Sequence, residues 1–183
     1  MSTSKHIVVG AVALLAACAT QPQNQPQSAK PPALGTAVSA DEIARWDISI
    51  PPSGAGLPAG SGSVKQGEAV YVAKCQACHG EKGTGKPADA LVGGKGTLAT
   101  KAPVRTVGSY WPHATTLFDY VRRAMPITNP LSLSNDEVYA VSAYVLNLNG
   151  IVPADAVMDA QTLPQVKMPN REGFVSDWPP RSR

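Results

Sequence analysis

Apolar positions along the chain fall into one unbroken run, three helical stripes and long intervals that carry neither pattern. Ile7 to Ala17 is an uninterrupted apolar or small-residue run behind Lys5 and His6. It is too short to cross a bilayer and suits the core of an export signal. Ala19 to Ala40 is Gln, Pro, Ala and Ser with almost no large apolar side chain, the composition of a flexible tether. Ser39 to Trp46 predicts a short helix capped by Ser39, with Ile43 and Trp46 on one face. Pro51 to Gly62 is again linker-like. The next pattern predicts a helix over Val64–Ala77, because Gly67, Tyr71, Cys75 and Cys78 share one stripe. A Gly- and Lys-rich loop comes next, Gly80 to Thr100. Thr115–Ala124 reads as a second helix with Leu117, Val121 and Ala124 inward. Pro126 stops it, since a residue before proline is pushed out of the helical region, and Met125 is left at the helix exit. Ser134 and Glu137 form a capping box ahead of a stripe of Val138, Val141, Val145 and Leu148, closed by Asn149-Gly150. Five prolines between Ile151 and Arg183 mark an extended tail that wraps the domain. No strand pattern persists. The expected architecture is all-α, with three to four helices and extended segments at both ends. Its divisions are a signal at 1–17, a tether at 18–40, an extension and linker at 41–62, a helical domain at 63–150 and the tail at 151–183.

Composition sharpens this picture. Hydrophobic residues make up 43% of the 183 residues but aromatic residues only 5%, with 17 Pro and 16 Gly. That is a thin core for the length, and a buried, covalently attached apolar cofactor would supply the missing surface. The formal net charge is +3. Residues 64–125 hold nine basic side chains against four acidic ones, whereas residues 126–183 hold four against six. The positive part therefore favours an acidic partner. There is no dense basic run, which argues against nucleic acid.

Cys75-Gln76-Ala77-Cys78-His79 is Cys-x-x-Cys-His, the attachment motif for c-type haem. Two thiols on one helical turn add to the two vinyl groups, and the adjacent imidazole reaches the iron. A thioredoxin-like Cys-x-x-Cys would need a βαβ setting, and none surrounds it. A zinc site would need four ligands, and beyond the signal only His79 and His113 remain as histidines. The sixth iron position has several claimants: Met125, stiffened by Pro126, Met158, Met168 and His113. Leu15-Ala16-Ala17-Cys18 resembles a bacterial lipobox, which implies lipidation of Cys18 and accounts for the Cys outside the motif.

The order of parts resembles class I cytochrome c. That resemblance implies a fold wrapped around one covalent haem, a crossing at which Gly67 and Tyr71 meet Tyr144, and Met125 as distal ligand. A narrower similarity spans roughly residues 40–175. Val107-Gly-Ser-Tyr-Trp-Pro112, Thr115-Thr-Leu-Phe-Asp-Tyr-Val-Arg-Arg-Ala-Met-Pro126 and Lys167-Met-Pro-Asn-Arg171 resemble the cytochrome subunits of periplasmic sulfite and sulfane dehydrogenases. The resemblance implies a non-catalytic subunit that takes electrons from a molybdenum-cofactor subunit and hands them to a downstream cytochrome or oxidase. Tyr110 and Trp111 fit a haem-lining role, with the indole N–H seeking a propionate and Arg105 neutralising it. Pro87 is placed to offer its carbonyl to His79. Lys82 and Lys86, directly after the motif, are expected to rim the haem edge. The rivals are a stand-alone haem enzyme and a ligand-binding sensor, both of which need an open or readily opened iron position. The expected location is the periplasm, with a lipid anchor as the sole membrane attachment and Ala19 pointing to the outer membrane.

Overall fold

The computed structural model describes residues 34–175 and 178. The segment expected to be a signal at 1–17, the expected lipidation residue Cys18 and most of the expected tether at 18–40 lie outside them. Contacts divide the chain between Val38 and Ser39, and every helix and strand among the described residues belongs to the second unit. Five α-helices are present among the described residues: α1 (Ala40–Trp46), α2 (Val64–Lys74), α3 (Gln76–His79), α4 (Ala114–Ala124) and α5 (Asn135–Leu148). Two short strands, β1 (Ser61–Ser63) and β2 (Val157–Asp159), pair antiparallel with Gly62 opposite Met158.

α5 is the axis of the fold. Its capping box is formed as the sequence predicts, with Ser134 Oγ accepting from the Glu137 N–H and Glu137 accepting from the Ser134 N–H. Its burial is wider than the predicted stripe, because every residue from Val138 to Leu146 is buried. The reason is packing on several sides: α2 and β1 cover one face and α4 another. Phe118 of α4 lies 4.5 Å from the Tyr139 ring, and Tyr139 donates to the Pro58 carbonyl at 2.9 Å. Burial pushes the Tyr139 hydroxyl up to about 12.

The strand pair joins the linker to the tail, which the sequence reads as extended, and adds two strands that no persistent pattern announces. Three residues per strand are too few for an alternating pattern to register. Beyond the pair Leu163, Val166 and Met168 are buried in the core. α1 forms with Ser39 as its cap, but Ile43 and Trp46 are exposed and no α1 residue is buried. The segment after α1 is held more firmly. Asp119 of α4 accepts from the Ile50 N–H at 3.0 Å and from Arg123 Nε at 3.0 Å, so the extension lies strapped over the helix that ends at Met125. Tyr139, Asn135 and Asp136 continue the strap by binding the backbone of Pro58, Ala59 and Ser61.

Candidate haem-attachment site

The motif sits at a break in the helix, not inside it. α2 is opened by a capping box between Ser63 and Gln66 and ends at Lys74. Cys75 leaves helical geometry (φ −122°, ψ −37°), although its N–H still reaches the Tyr71 carbonyl, and α3 then carries Gln76 to His79. The predicted single helix to Ala77 is thus two helices with a hinge at the first cysteine. Gly80 ends α3 with φ 74°, a left-handed value open to glycine, and a Cβ there would meet the Gly85 carbonyl oxygen at 2.4 Å. The Gly80 carbonyl accepts from Tyr71 Oη at 2.8 Å, and burial pushes that hydroxyl up to about 12.

Neither Cys75 nor Cys78 is in a disulfide. Burial pushes the Cys75 thiol up to about 11, against a smaller opposing pull from Lys74. A dithiol oxidoreductase needs the reverse, a thiol lowered toward neutrality. His79 Nδ1 lies 2.9 Å from the Asp89 carbonyl oxygen. A carbonyl only accepts, so Nδ1 carries the proton and Nε2 keeps its lone pair for a metal. The acceptor predicted from sequence is Pro87; the structure gives the role to Asp89, two residues on, because the loop turns back at Lys86, where φ is 77°.

The loop beyond is tied to the end of α5. Asn149 Nδ2 donates to the Leu91 carbonyl at 3.1 Å and Asn149 Oδ1 accepts from the Gly93 N–H at 3.2 Å. Thr106 Oγ1 donates to the Gly93 carbonyl at 2.6 Å, which locks the 104–109 segment to the same loop. In the sequence Asn149 reads as a helix stop alone. A polar side chain with three backbone partners, the Val145 carbonyl among them, leaves no signature beyond its residue type.

Met125 is the C-cap of α4 with extended geometry (φ −118°, ψ 146°) and is partly buried, at the helix exit as expected. Met158 and Met168 are 6% and 4% exposed and belong to the apolar core. Trp111 is partly buried, edge-on to Tyr120 at 5.7 Å. Arg105 and Tyr110 are exposed, with the guanidinium 5.7 Å from the ring. Both line an open cleft of 340 Å³ with Phe174, which stacks edge-on against Tyr110. Among the described residues no group of three His, Cys, Asp or Glu side chains gathers as a metal cluster. Two unpaired thiols at a helix break, an imidazole with Nε2 free and a thioether at a helix exit fit a covalent haem.

The fold and this donor set define a c-type cytochrome. A family model described as cytochrome c oxidase, cbb3-type, subunit III matches residues 62–145. A chain in the crystal structure of the sulfane dehydrogenase SoxCD from Paracoccus pantotrophus aligns with a TM-score of 0.75 and 42% identity, over 79% of this chain and 72% of that one. No curated protein sequence matches significantly. The chain belongs to the c-type cytochromes, whose family implies covalently attached haem c, and it is related to that sulfane dehydrogenase chain.

Proposed function

We propose that this protein is a single-haem, one-electron carrier that accepts electrons from a molybdenum-cofactor dehydrogenase subunit of the sulfite or sulfane type and delivers them to a downstream cytochrome or oxidase. The observation that carries the reading is the 42% identity to a sulfane dehydrogenase chain across 79% of this one. Cys75 and Cys78 would hold a haem through thioether bonds, and His79 Nε2 and Met125 Sδ would ligate its iron. Bound there, the haem supplies reversible one-electron iron chemistry. The Asp89 carbonyl fixes the His79 ring and raises its basicity. Asn149 holds the loop after the motif, and the Asp119 strap holds the helix that delivers Met125. With His and Met both committed, no position is left for substrate, which favours a carrier over a haem enzyme. Trp111 is assigned to the haem wall, and Arg105 and Tyr110 to its solvent rim.

Lys82 and Lys86 are exposed in the loop directly after His79. Charge steering of an acidic donor weakens as the Debye length falls from about 30 Å at 0.01 M salt to about 10 Å at 0.1 M. Substrate-dependent reduction by a purified sulfite or sulfane dehydrogenase subunit, followed by stopped flow, should slow as salt rises. Lys82→Glu should slow it several-fold at low salt while leaving the potential unchanged. Lys82 already holds φ 51°, so exchanging one side chain for another adds no backbone strain. Rates indifferent to salt and to the reversal would refute electrostatic docking, and no reduction by either dehydrogenase would refute the donor assignment.

The location belongs to the same proposal: export to the periplasm and a lipid on Cys18, with the outer membrane as destination. Cys18→Ser should abolish fatty-acid labelling and release a soluble, haem-loaded protein. Labelling that survives the substitution would count against the anchor.

A further inference from the structure

We infer that Asn149 is a positioning residue for His79: by fixing the 89–93 loop to the end of α5 it keeps the Asp89 carbonyl on His79 Nδ1, and so tunes the potential of an iron held by that imidazole. The contacts that carry this run unbroken from α5 to the motif. His79 Nδ1 lies 2.9 Å from the Asp89 carbonyl oxygen. On one side of Asp89 the Ala88 N–H donates to the Cys78 carbonyl at 2.9 Å, and beyond it the Leu91 and Val92 N–H groups share the Gly83 carbonyl at 2.9 and 3.2 Å. Those bonds tie the loop only to residues that flank His79, and they move with the motif. The bonds from Asn149 differ in kind. They reach α5, where every residue from Val138 to Leu146 is buried. Asn149 Nδ2 donates to the Leu91 carbonyl at 3.1 Å and to the Val145 carbonyl at 2.9 Å, while Oδ1 accepts from the Gly93 N–H at 3.2 Å. One residue, Ala90, separates the acceptor of His79 from this anchor.

The amide is also held in one orientation. A Cβ built at Gly108 would stand 2.0 Å from Asn149 Oδ1 and 2.6 Å from its Cγ, so the backbone at 108 lies directly against the side chain. Thr106 Oγ1 takes the Gly93 carbonyl at 2.6 Å, so both polar backbone groups of Gly93 are committed. An alanine at 149 would lose all three side-chain bonds. A carbonyl that accepts from the distal ring nitrogen of a ligating histidine fixes the ring and raises its basicity. A more basic imidazole favours ferric over ferrous iron, and hydrogen bonding outside the ligand set is one of the levers on haem potential. Loosening the Asp89 carbonyl therefore raises the potential.

The inference rests on the proposed haem site, and the experiment separates the two. The full-length protein, Asn149→Ala, Gly108→Ala and Val64→Ala would be matured with haem. Each is read for covalent haem stain, for melting temperature, for the oxidised-to-reduced ratio against a one-electron mediator, and for solvent exchange of the His79 Nδ1 proton by NMR of the reduced protein. Asn149→Ala should stain and shift the ratio toward the reduced form by about three- to tenfold, tenfold being about 59 mV for one electron. Its Nδ1 proton should exchange roughly tenfold faster, the worth of about one hydrogen bond. Gly108→Ala displaces the amide without altering it, and should move both readings the same way. Val64→Ala truncates a core residue at the end of α2 opposite the motif. It should lower the melting temperature and leave ratio and exchange unmoved, which separates positioning from plain stability. Ratio and exchange unchanged in the two loop variants, or moved as far by Val64→Ala, would overturn the assignment. A shift toward the oxidised form would overturn it too. Should Asn149→Ala fail to accumulate, Gly108→Ala decides. Absence of stain from the unsubstituted protein would instead sink the haem site itself.

Discussion

Gly67→Ala should destabilise the folded protein by about 3 kcal/mol or more and lower its melting temperature by about 10 °C. A Cβ built at Gly67 would stand 1.8 Å from the Ala140 carbonyl oxygen and 2.8 Å from the Tyr144 Cβ. The nearer obstacle is backbone, so no rotamer change relieves it, and α2 must move away from α5. Helix propensity works the other way. Alanine inside a helix is favoured over glycine by about 1 kcal/mol, and at an open position the same exchange would stabilise. The clash wins because it opens the most extensive helix contact in the fold. The damage would reach the site, since α2 also carries Tyr71, which lies 5.4 Å from the Tyr144 ring and holds the Gly80 carbonyl. Thermal melts and haem stain per milligram of protein both check this. A melting temperature equal to or above that of the parent would show that the helices do not cross here.

How much the chain discloses in advance depends on the range of each interaction. Ser134 and Glu137 announce α5 because a capping box is closed within four residues, and Met125-Pro126 announces a helix exit for the same reason. The crossing of Gly67, Tyr71 and Tyr144 is legible only through resemblance to a known family, since the partners lie more than seventy residues apart. The acceptor for His79 is misplaced by two residues, at Pro87 in place of Asp89, because a left-handed turn at Lys86 shifts which carbonyl points inward. The hinge at Cys75 is a matter of one pair of dihedral angles, and residue type does not encode it. The Asp119 strap is invisible for a different reason. Its partner, the Ile50 N–H, belongs to the backbone, so no complementary residue exists for the sequence to show.

The three methionines offer the sharper test of the site, because sequence alone leaves them as competitors. Met125→Ala should keep the haem covalently attached, remove the Met-to-iron charge-transfer band, lower the reduction potential and open the iron to carbon monoxide. Its cost in stability should be small beside that of a core substitution, since Met125 is only partly buried at a helix end. Met158→Ala should do the reverse. Met158 is 6% exposed, faces Gly62 across the strand pair and lies in the apolar core, so its truncation should cost about 2–5 kcal/mol while the band persists. Met168, 4% exposed in the same core, should behave likewise. Each variant thus separates a ligand's signature from a core residue's. Absorbance, carbon monoxide binding and a denaturant melt on the same three proteins decide it. A band that survives Met125→Ala and vanishes in either of the others would transfer the ligand to the tail. The haem would then lie on the face closed by β2 and the segment beyond it, and the role of α4 would reduce to packing.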